Sequence, residues 1–180
     1  MKKYDNKIIF TGPVGAGKTT AIGAISDIPP ITTDAAASDM TLNRKGYTTV
    51  ALDYGVLNLD ERTKVHLYGT PGQERFDFMW EILSTGGIGL ILLLDNSRPN
   101  PVKDMQFFMQ AFQDFLKHAP VVIGVTKTDI KAAPSTDAYA EILEKVGMRP
   151  PIFEIDGRNR DDVKNLVMAL LFSIDPGLQG

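Results

Sequence analysis

Gly12-Pro13-Val14-Gly15-Ala16-Gly17-Lys18-Thr19 packs three glycines, a lysine and a threonine into eight residues, directly after the apolar run Ile8-Ile9-Phe10. This spacing can wrap a polyphosphate. Successive main-chain N–H groups curl toward one anion, and glycine allows dihedrals that a Cβ obstructs. Lys18 reaches the terminal phosphate oxygens in such a loop, and the Thr19 hydroxyl is placed to ligate Mg²⁺. A helix opening here adds the partial positive charge of its N-terminus. A plain Gly-rich turn is the alternative, and the strand before and helix after count against it.

Four further clusters extend this chemistry. Thr126-Lys127-Thr128-Asp129 closes the apolar stretch "VVIGVT". A carboxylate fixed at a strand's carboxyl end faces the same rim as the phosphate loop. It can accept the N1–H and N2–H₂ of guanine, a pair that adenine lacks, while the Lys127 stem covers ribose and base. By itself the tetrapeptide also fits a solvated charge pair. Gly69-Thr70-Pro71-Gly72-Gln73-Glu74 offers a backbone N–H at Gly72 for a terminal phosphate oxygen and an amide at Gln73 that can orient an attacking water; a turn capping the next helix fits as well. Thr48-Thr49 ends the long aperiodic stretch 31–47, where a hydroxyl that ligates Mg²⁺ only beside a γ-phosphate would tie loop order to nucleotide state. As β-formers the two threonines also simply open a strand. Glu154-Ile155-Asp156-Gly157-Arg158 follows "PIF", and backbone N–H groups there can bond the guanine carbonyl, with Gly157 allowing close approach.

The elements that must hold these residues are readable from periodicity. "NKIIFTG" is a buried strand, "GKTTAIGAIS" a helix stopped by "DIPP". "TTVALDYGVLNLD" and "TKVHLYG" are two strands joined by a turn at Asp60-Glu61. "GIGLILLLD" is apolar on both faces, as a central parallel strand must be. "DMQFFMQAFQDFLKH" is amphipathic with Met105, Phe108, Phe112 and Phe115 close to one stripe, and Phe107 and Met109 also read as core. "PVVIGVT" and "PIFEID" are strands; "DAYAEILEKVG", ending at Gly147, and "RDDVKNLVMALLFSI" are helices. Alternating strands and helices imply an α/β fold with a mainly parallel sheet covered on both faces, and the two early adjacent strands imply one antiparallel edge strand. "FDFMW", Phe76 to Trp80, is an unbroken apolar run that one helix face cannot bury whole, so part of it is expected to meet a partner. His66 and His118 have no ligand set around them and read as structural or solvent-exposed.

Composition sets outer bounds. At 180 residues the chain suits one domain. A net charge of −3 without a Lys/Arg block gives no case for a nucleic-acid partner. There is no cysteine, which removes disulfides and thiolate sites and fits a reducing cytoplasm. No apolar run is long enough to span a membrane. Lys2 stands where myristoylation needs glycine, a prenylation cysteine is missing, and no membrane anchor is expected.

With these elements in this order the chain resembles the Ras-like small GTPases over nearly its whole length. "TTVALDYG…HLYGTPGQERFDFMWEIL…LLLDNSRP" is still more similar to the bacterial MglA-like members, which work with Roadblock-domain partners. The resemblance implies a P-loop NTPase fold, a single G domain over 1–180 with six strands and about five helices, and a GTP/GDP switch with Mg²⁺ and slow hydrolysis. It also implies nucleotide contacts from Gly12, Val14, Gly15, Ala16, Gly17, Lys18, Thr19, Thr20, Thr49, Gly72, Thr126, Lys127, Asp129, Asp156, Gly157 and Arg158. Lys18, Thr49 and Gln73 take the catalytic roles, Thr19 and Thr49 hold the metal, and a Roadblock-type activator and effectors meet the residues near Thr49 and Phe76–Trp80.

Three departures from the family pattern stand out. The magnesium-side aspartate expected three residues before Gly72 is Gly69, which leaves the metal on Thr19, Thr49, phosphates and water. Thr126 replaces the usual asparagine of the base motif. Val14 replaces a common glycine and crowds the space beside the γ-phosphate, so unassisted hydrolysis is expected to be very slow. Arg44 and Arg75 are the arginines nearest the two switch regions. A nucleotide-gated interaction module that binds GTP and scarcely hydrolyses it is the competing reading, favoured by Gly69 and Val14 and opposed by Gln73. A small-molecule kinase is disfavoured, since no Arg-rich lid segment stands between the helices.

Overall fold

The computed structural model describes residues 6–32, 52–71, 80 and 84–174. In chain order the elements are β1 (Asn6–Thr11), α1 (Lys18–Ile25), β2 (Ile31–Thr32), β3 (Asp53–Asn58), β4 (Lys64–Gly69), β5 (Gly87–Asp95), α2 (Pro101–Ala111), α3 (Gln113–Leu116), β6 (Val121–Thr126), α4 (Thr136–Glu144), β7 (Ile152–Glu154) and α5 (Arg160–Ile174). One sheet runs β2-β3-β4-β1-β5-β6-β7. β4, β1, β5, β6 and β7 are mutually parallel, whereas β3 is antiparallel to β4 and to β2. The expected mainly parallel sheet with one antiparallel strand is present. That strand stands one place in from the edge, because the two residues of β2 add a short seventh strand outside it.

The apolar strands split cleanly by face. Ile8, Phe10, Ile91, Leu93 and Val122 join Ile22 and Ile25 of α1 and Val163, Leu166, Val167 and Leu170 of α5 in one buried layer. Ile9, Leu90, Leu92, Leu94, Ile123 and Val125 face the other way, onto Met105, Phe108 and Met109 of α2 and Tyr139 and Leu143 of α4. Successive strand residues point to opposite faces, so a continuous apolar run feeds two cores. Phe107, expected in the core, is only partly buried at its margin.

Turns and caps fix the element ends. The Asp60 carboxylate accepts the N–H groups of Arg62 and Thr63, both at 2.7 Å, and this side-chain-to-backbone pattern closes the β3–β4 hairpin at the expected place. α2 begins earlier than its apolar stripe suggests, because Asn100 caps it through the Lys103 N–H (3.0 Å) and Pro101 sits where no N–H is needed. The amphipathic stretch expected as one helix is interrupted at Phe112 (φ −98°, ψ 13°), and α3 continues for four residues. At the base of the sheet, Arg160 donates to the Ala24 and Ile25 carbonyls at the end of α1 and to Asp27, tying α5 to α1.

Candidate functional site

The stretch Gly12–Gly17 leaves β1 and turns into α1 at the carboxyl rim of the sheet. A Cβ at Gly12 would lie 2.1 Å from the Leu93 carbonyl oxygen, so the loop can pass this close to β5 only without a side chain. Gly17 holds φ 95° immediately before the helix, in the left-handed region where glycine is at ease. Lys18 is buried, and its ammonium donates to the Gly12 carbonyl (2.5 Å) and the Pro13 carbonyl (3.0 Å), bridging the loop from within. Burial pushes its pKa down to about 8; the Arg98 guanidinium adds to that fall and the Asp53 carboxylate opposes it. Val14 stands 54% exposed at the loop's crest, and Thr20 is exposed one residue past Thr19.

Thr19 reveals a residue that the sequence reading missed. Its hydroxyl donates to the Asp53 carboxylate at 2.7 Å, and Asp53 is buried. Asp53 is the cross-strand partner of Gly69. A Cβ added to Gly69 would sit 3.0 Å from both the Cβ and Oδ2 of Asp53. The carboxylate expected on β4 is thus offered from β3, through the room that glycine leaves. The hairpin register is centred on Glu61, eight residues from each of positions 53 and 69, and a count from that turn residue was the available signal. Hydroxyl and carboxylate oxygens suit a small hard cation such as Mg²⁺, so the donors present fit it, and Asp53 adds to the expected set of Thr19 and Thr49. Among the described residues no group of three or more His, Asp or Glu forms a separate metal cluster.

The same rim, two strands along at the end of β6, carries the base-motif residues. The Thr126 hydroxyl donates to the Leu94 carbonyl (3.0 Å) and the Ala16 carbonyl (3.3 Å), so this threonine still ties the strand end to the phosphate loop. Lys127 reaches back to the Gly15 carbonyl and to Asp95, both at 2.9 Å. Asp129 is exposed on the cavity wall, and no hydrogen bond to it comes from the described residues. In the last loop, hydrogen bonds from the Arg158 side chain and N–H hold the Asp156 pKa at about 2. The Asp156 N–H is taken by Asp162 (2.8 Å) and the Arg158 N–H by Asp156 (2.9 Å). Two of the three N–H groups expected to face a base carbonyl are therefore engaged within the loop, and the Gly157 N–H is the one that the described residues leave open. A Cβ on Gly157 would lie 3.7 Å from the Gly17 carbonyl, so the two loops abut.

Between these loops lies a cavity of about 710 Å³ lined by Gly15, Gly17, Thr20, Lys127, Asp129 and Gly157 among others. It joins the phosphate loop to the base-motif residues in one space. Thr48, Thr49, Gly72, Gln73, Arg44, Arg75 and 76–79 lie outside the described residues. Trp80, the last of the "FDFMW" run, is buried: its indole N–H donates to the Pro71 carbonyl at 2.8 Å and its ring packs on Phe107, Phe108 and Phe112. His66 accepts or donates to the Tyr54 hydroxyl at 2.8 Å and stacks on its ring, a structural role, and His118 is exposed.

A parallel sheet with a glycine-rich loop between its β1 and α1, and a ligand-sized cavity at its carboxyl rim, defines an α/β fold of the P-loop NTPase class. The chain belongs to the family described as conserved hypothetical ATP binding protein, whose model matches residues 29–170. The match begins downstream of the Gly12–Thr19 loop. The chain is similar to the uncharacterized protein MJ1339 of Methanocaldococcus jannaschii, 31% identical over 94% of this chain and 99% of that one. It is also similar to the Ras-related protein SEC4 of Saccharomyces cerevisiae, 24% identical over 94% of this chain and 75% of that one. The Ras-related protein Rab-27A of Mus musculus is 23% identical over 93% of this chain and 77% of that one. Among the described residues no helix is long and apolar enough to cross a membrane.

Proposed function

We propose that this chain is a GTP/GDP switch of one G domain with slow intrinsic GTP hydrolysis. The observation that carries the reading is a cavity lined both by phosphate-loop residues Gly15, Ala16 and Gly17 and by Asp129. A charged carboxylate with no hydrogen-bond donor among the described residues favours a ligand edge with two adjacent donors, which guanine has and adenine lacks. The similarity to SEC4 and Rab-27A, both Ras-related proteins, supports the same reading.

In this reading the amides of Gly12 to Thr19 and the Lys18 ammonium hold the β- and γ-phosphates. Gln73 orients a water for in-line attack on the γ-phosphorus; the bond to the β,γ-bridging oxygen breaks, and GDP and inorganic phosphate leave. Thr19, Thr49 and Asp53 would hold Mg²⁺, which when bound offsets charge on the phosphate oxygens. Gly72 contacts the γ-phosphate, and Val14 narrows the approach of water and of any arginine, which keeps turnover slow without a partner. The MglA-like motifs point to a Roadblock-domain activator, to effectors at the residues near Thr49 and Phe76–Trp80, and to work in the cytoplasm.

Two other readings have specific support. The family's description as ATP-binding favours adenine at the same site. Half-exposed Val14 favours a GTP-binding interaction module with negligible hydrolysis. Denaturing the purified protein and separating the released nucleotides tests the first: GDP or GTP is expected, and adenine nucleotides alone would overturn the assignment to Asp129. Partner-stimulated phosphate release that disappears in Gln73→Leu is expected of the switch, whereas no stimulated release from the wild type under any condition leaves the module.

A further inference from the structure

Asp95 is the last residue of β5, beside Thr126 in the parallel pairing, and its side chain is 5% exposed. One oxygen, Oδ1, accepts both the N–H (2.8 Å) and the hydroxyl (2.5 Å) of Ser97. The other, Oδ2, accepts the Lys127 ammonium at 2.9 Å, and that ammonium also donates to the Gly15 carbonyl at 2.9 Å. Ser97, Asp95, Lys127 and Gly15 thereby form one continuous chain from the β5 exit to the phosphate loop. Lys127 itself has φ 60°, the one positive φ among the described non-glycine residues. Such a backbone persists only where its surroundings over-determine it. Here the long side chain is held at its tip by two acceptors, and its stem is drawn along the cavity wall.

We infer that Asp95 is a positioning residue for the base side of the site: it fixes Lys127 as a wall over the nucleoside and thereby sets how long the nucleotide stays bound. The inference rests on the guanine-nucleotide reading above and concerns its regulation. Two facts separate it from simple loop stabilisation. Ser97 alone would satisfy the needs of the turn after β5, since its N–H and hydroxyl both converge on Oδ1; Oδ2 is turned to Lys127 instead. Among the described residues its hydrogen bonds go to Ser97 and Lys127 and not to the phosphate loop, so its influence on a ligand passes through Lys127. A charge-assisted contact of this kind is lost largely as faster dissociation.

The experiment loads the full-length chain with a fluorescent GDP analogue, chases with excess GDP, and compares wild type with Asp95→Asn and Ser97→Ala. Calorimetry with inorganic tripolyphosphate, which fills the phosphate loop without reaching Lys127, runs beside it. Release from Asp95→Asn is expected to be on the order of tenfold faster, with a smaller increase for Ser97→Ala and tripolyphosphate affinity unchanged in both. Should Asp95→Asn fail to fold, Ser97→Ala alone decides, its release being faster or not. Wild-type release rates in the variants overturn this assignment and leave the switch reading intact, as does a parallel loss of tripolyphosphate affinity. A wild-type chain that retains no guanine nucleotide overturns both.

Discussion

The Asp53 carboxylate fills the space that a side chain at Gly69 would need. The two residues are cross-strand partners at the rim end of the β3–β4 hairpin, and the oxygen nearest the glycine is the one that accepts the Thr19 hydroxyl. With glycine at 69, the carboxylate beside the first turn of α1 comes from position 53 of the neighbouring strand.

If Asp53 serves the cation, chelation should matter less without it. GDP release from the wild type is expected to accelerate on adding EDTA, and Asp53→Asn should remove most of that acceleration, an effect of about tenfold for one charge-assisted contact. The double variant Asp53→Gly with Gly69→Asp should restore it, whereas Gly69→Asp alone should not, because both side chains then claim one space. Equal EDTA responses in wild type and Asp53→Asn would refute the assignment.

Lys18 gives a pH dependence with a definite sign. In the ligand-free protein burial holds its pKa near about 8. Phosphate oxygens favour the charged form, so binding above that pH must take up a proton. Affinity for GTP should be level below about pH 8 and fall above it, approaching about tenfold per pH unit. In Lys18→Ala the binding should be weak and lack this step. The same group's contribution to folding runs the other way in the empty protein. The unfolded chain keeps its proton up to the ordinary 10.5, so the penalty of burying the charge is relieved as pH rises from about 8 toward that value. Calorimetric titrations from about pH 7 to about 9.5 check the binding limb.

Thr126→Val keeps the shape at the end of β6 and removes the hydroxyl that serves Ala16 and Leu94. Leaving those buried carbonyls short of a donor is expected to cost about 1–2 kcal/mol, read as a lower denaturation midpoint in urea with an unchanged slope. Nucleotide release should quicken too, since the tie between base motif and phosphate loop is cut.

Val14→Gly clears the crest of the loop. Single-turnover phosphate release is expected to rise on the order of tenfold, about 1.4 kcal/mol of barrier, while GDP affinity stays close to wild type. An unchanged rate would mean that the side chain does not obstruct the attacking water.

Much of this architecture is written in local patterns. The nine residues of β5 and the fifteen of α5 coincide with "GIGLILLLD" and "RDDVKNLVMALLFSI", because long periodic apolar runs leave little choice of element. The Asp60 turn is equally local. What the chain did not disclose depends on tertiary neighbours. β2 exists only because Tyr54 and Asp53 lie beside two residues that have no strand pattern of their own. The break at Phe112 interrupts a run whose stripe continues across it. Asp53 reads as an interior residue of the strand "TTVALDYGVLNLD" and Asp95 as the last residue of "GIGLILLLD". Their partners, Thr19 and Lys127, are 34 and 32 residues away and meet them only once the sheet is assembled. The engaged N–H groups of Asp156 and Arg158 were hidden for a related reason, since side chains within the loop compete for donors that a ligand would otherwise take.

Trp80 is the sole tryptophan of the chain. Its indole is clamped between the Pro71 carbonyl and the rings of α2 and Phe112, so the exit of β4 and the residue that follows the 72–79 stretch are pinned to each other. All ultraviolet indole emission from the molecule therefore originates at that one junction. A bench fluorimeter can follow it in unlabelled protein, with no dye attached to disturb the surface nearby.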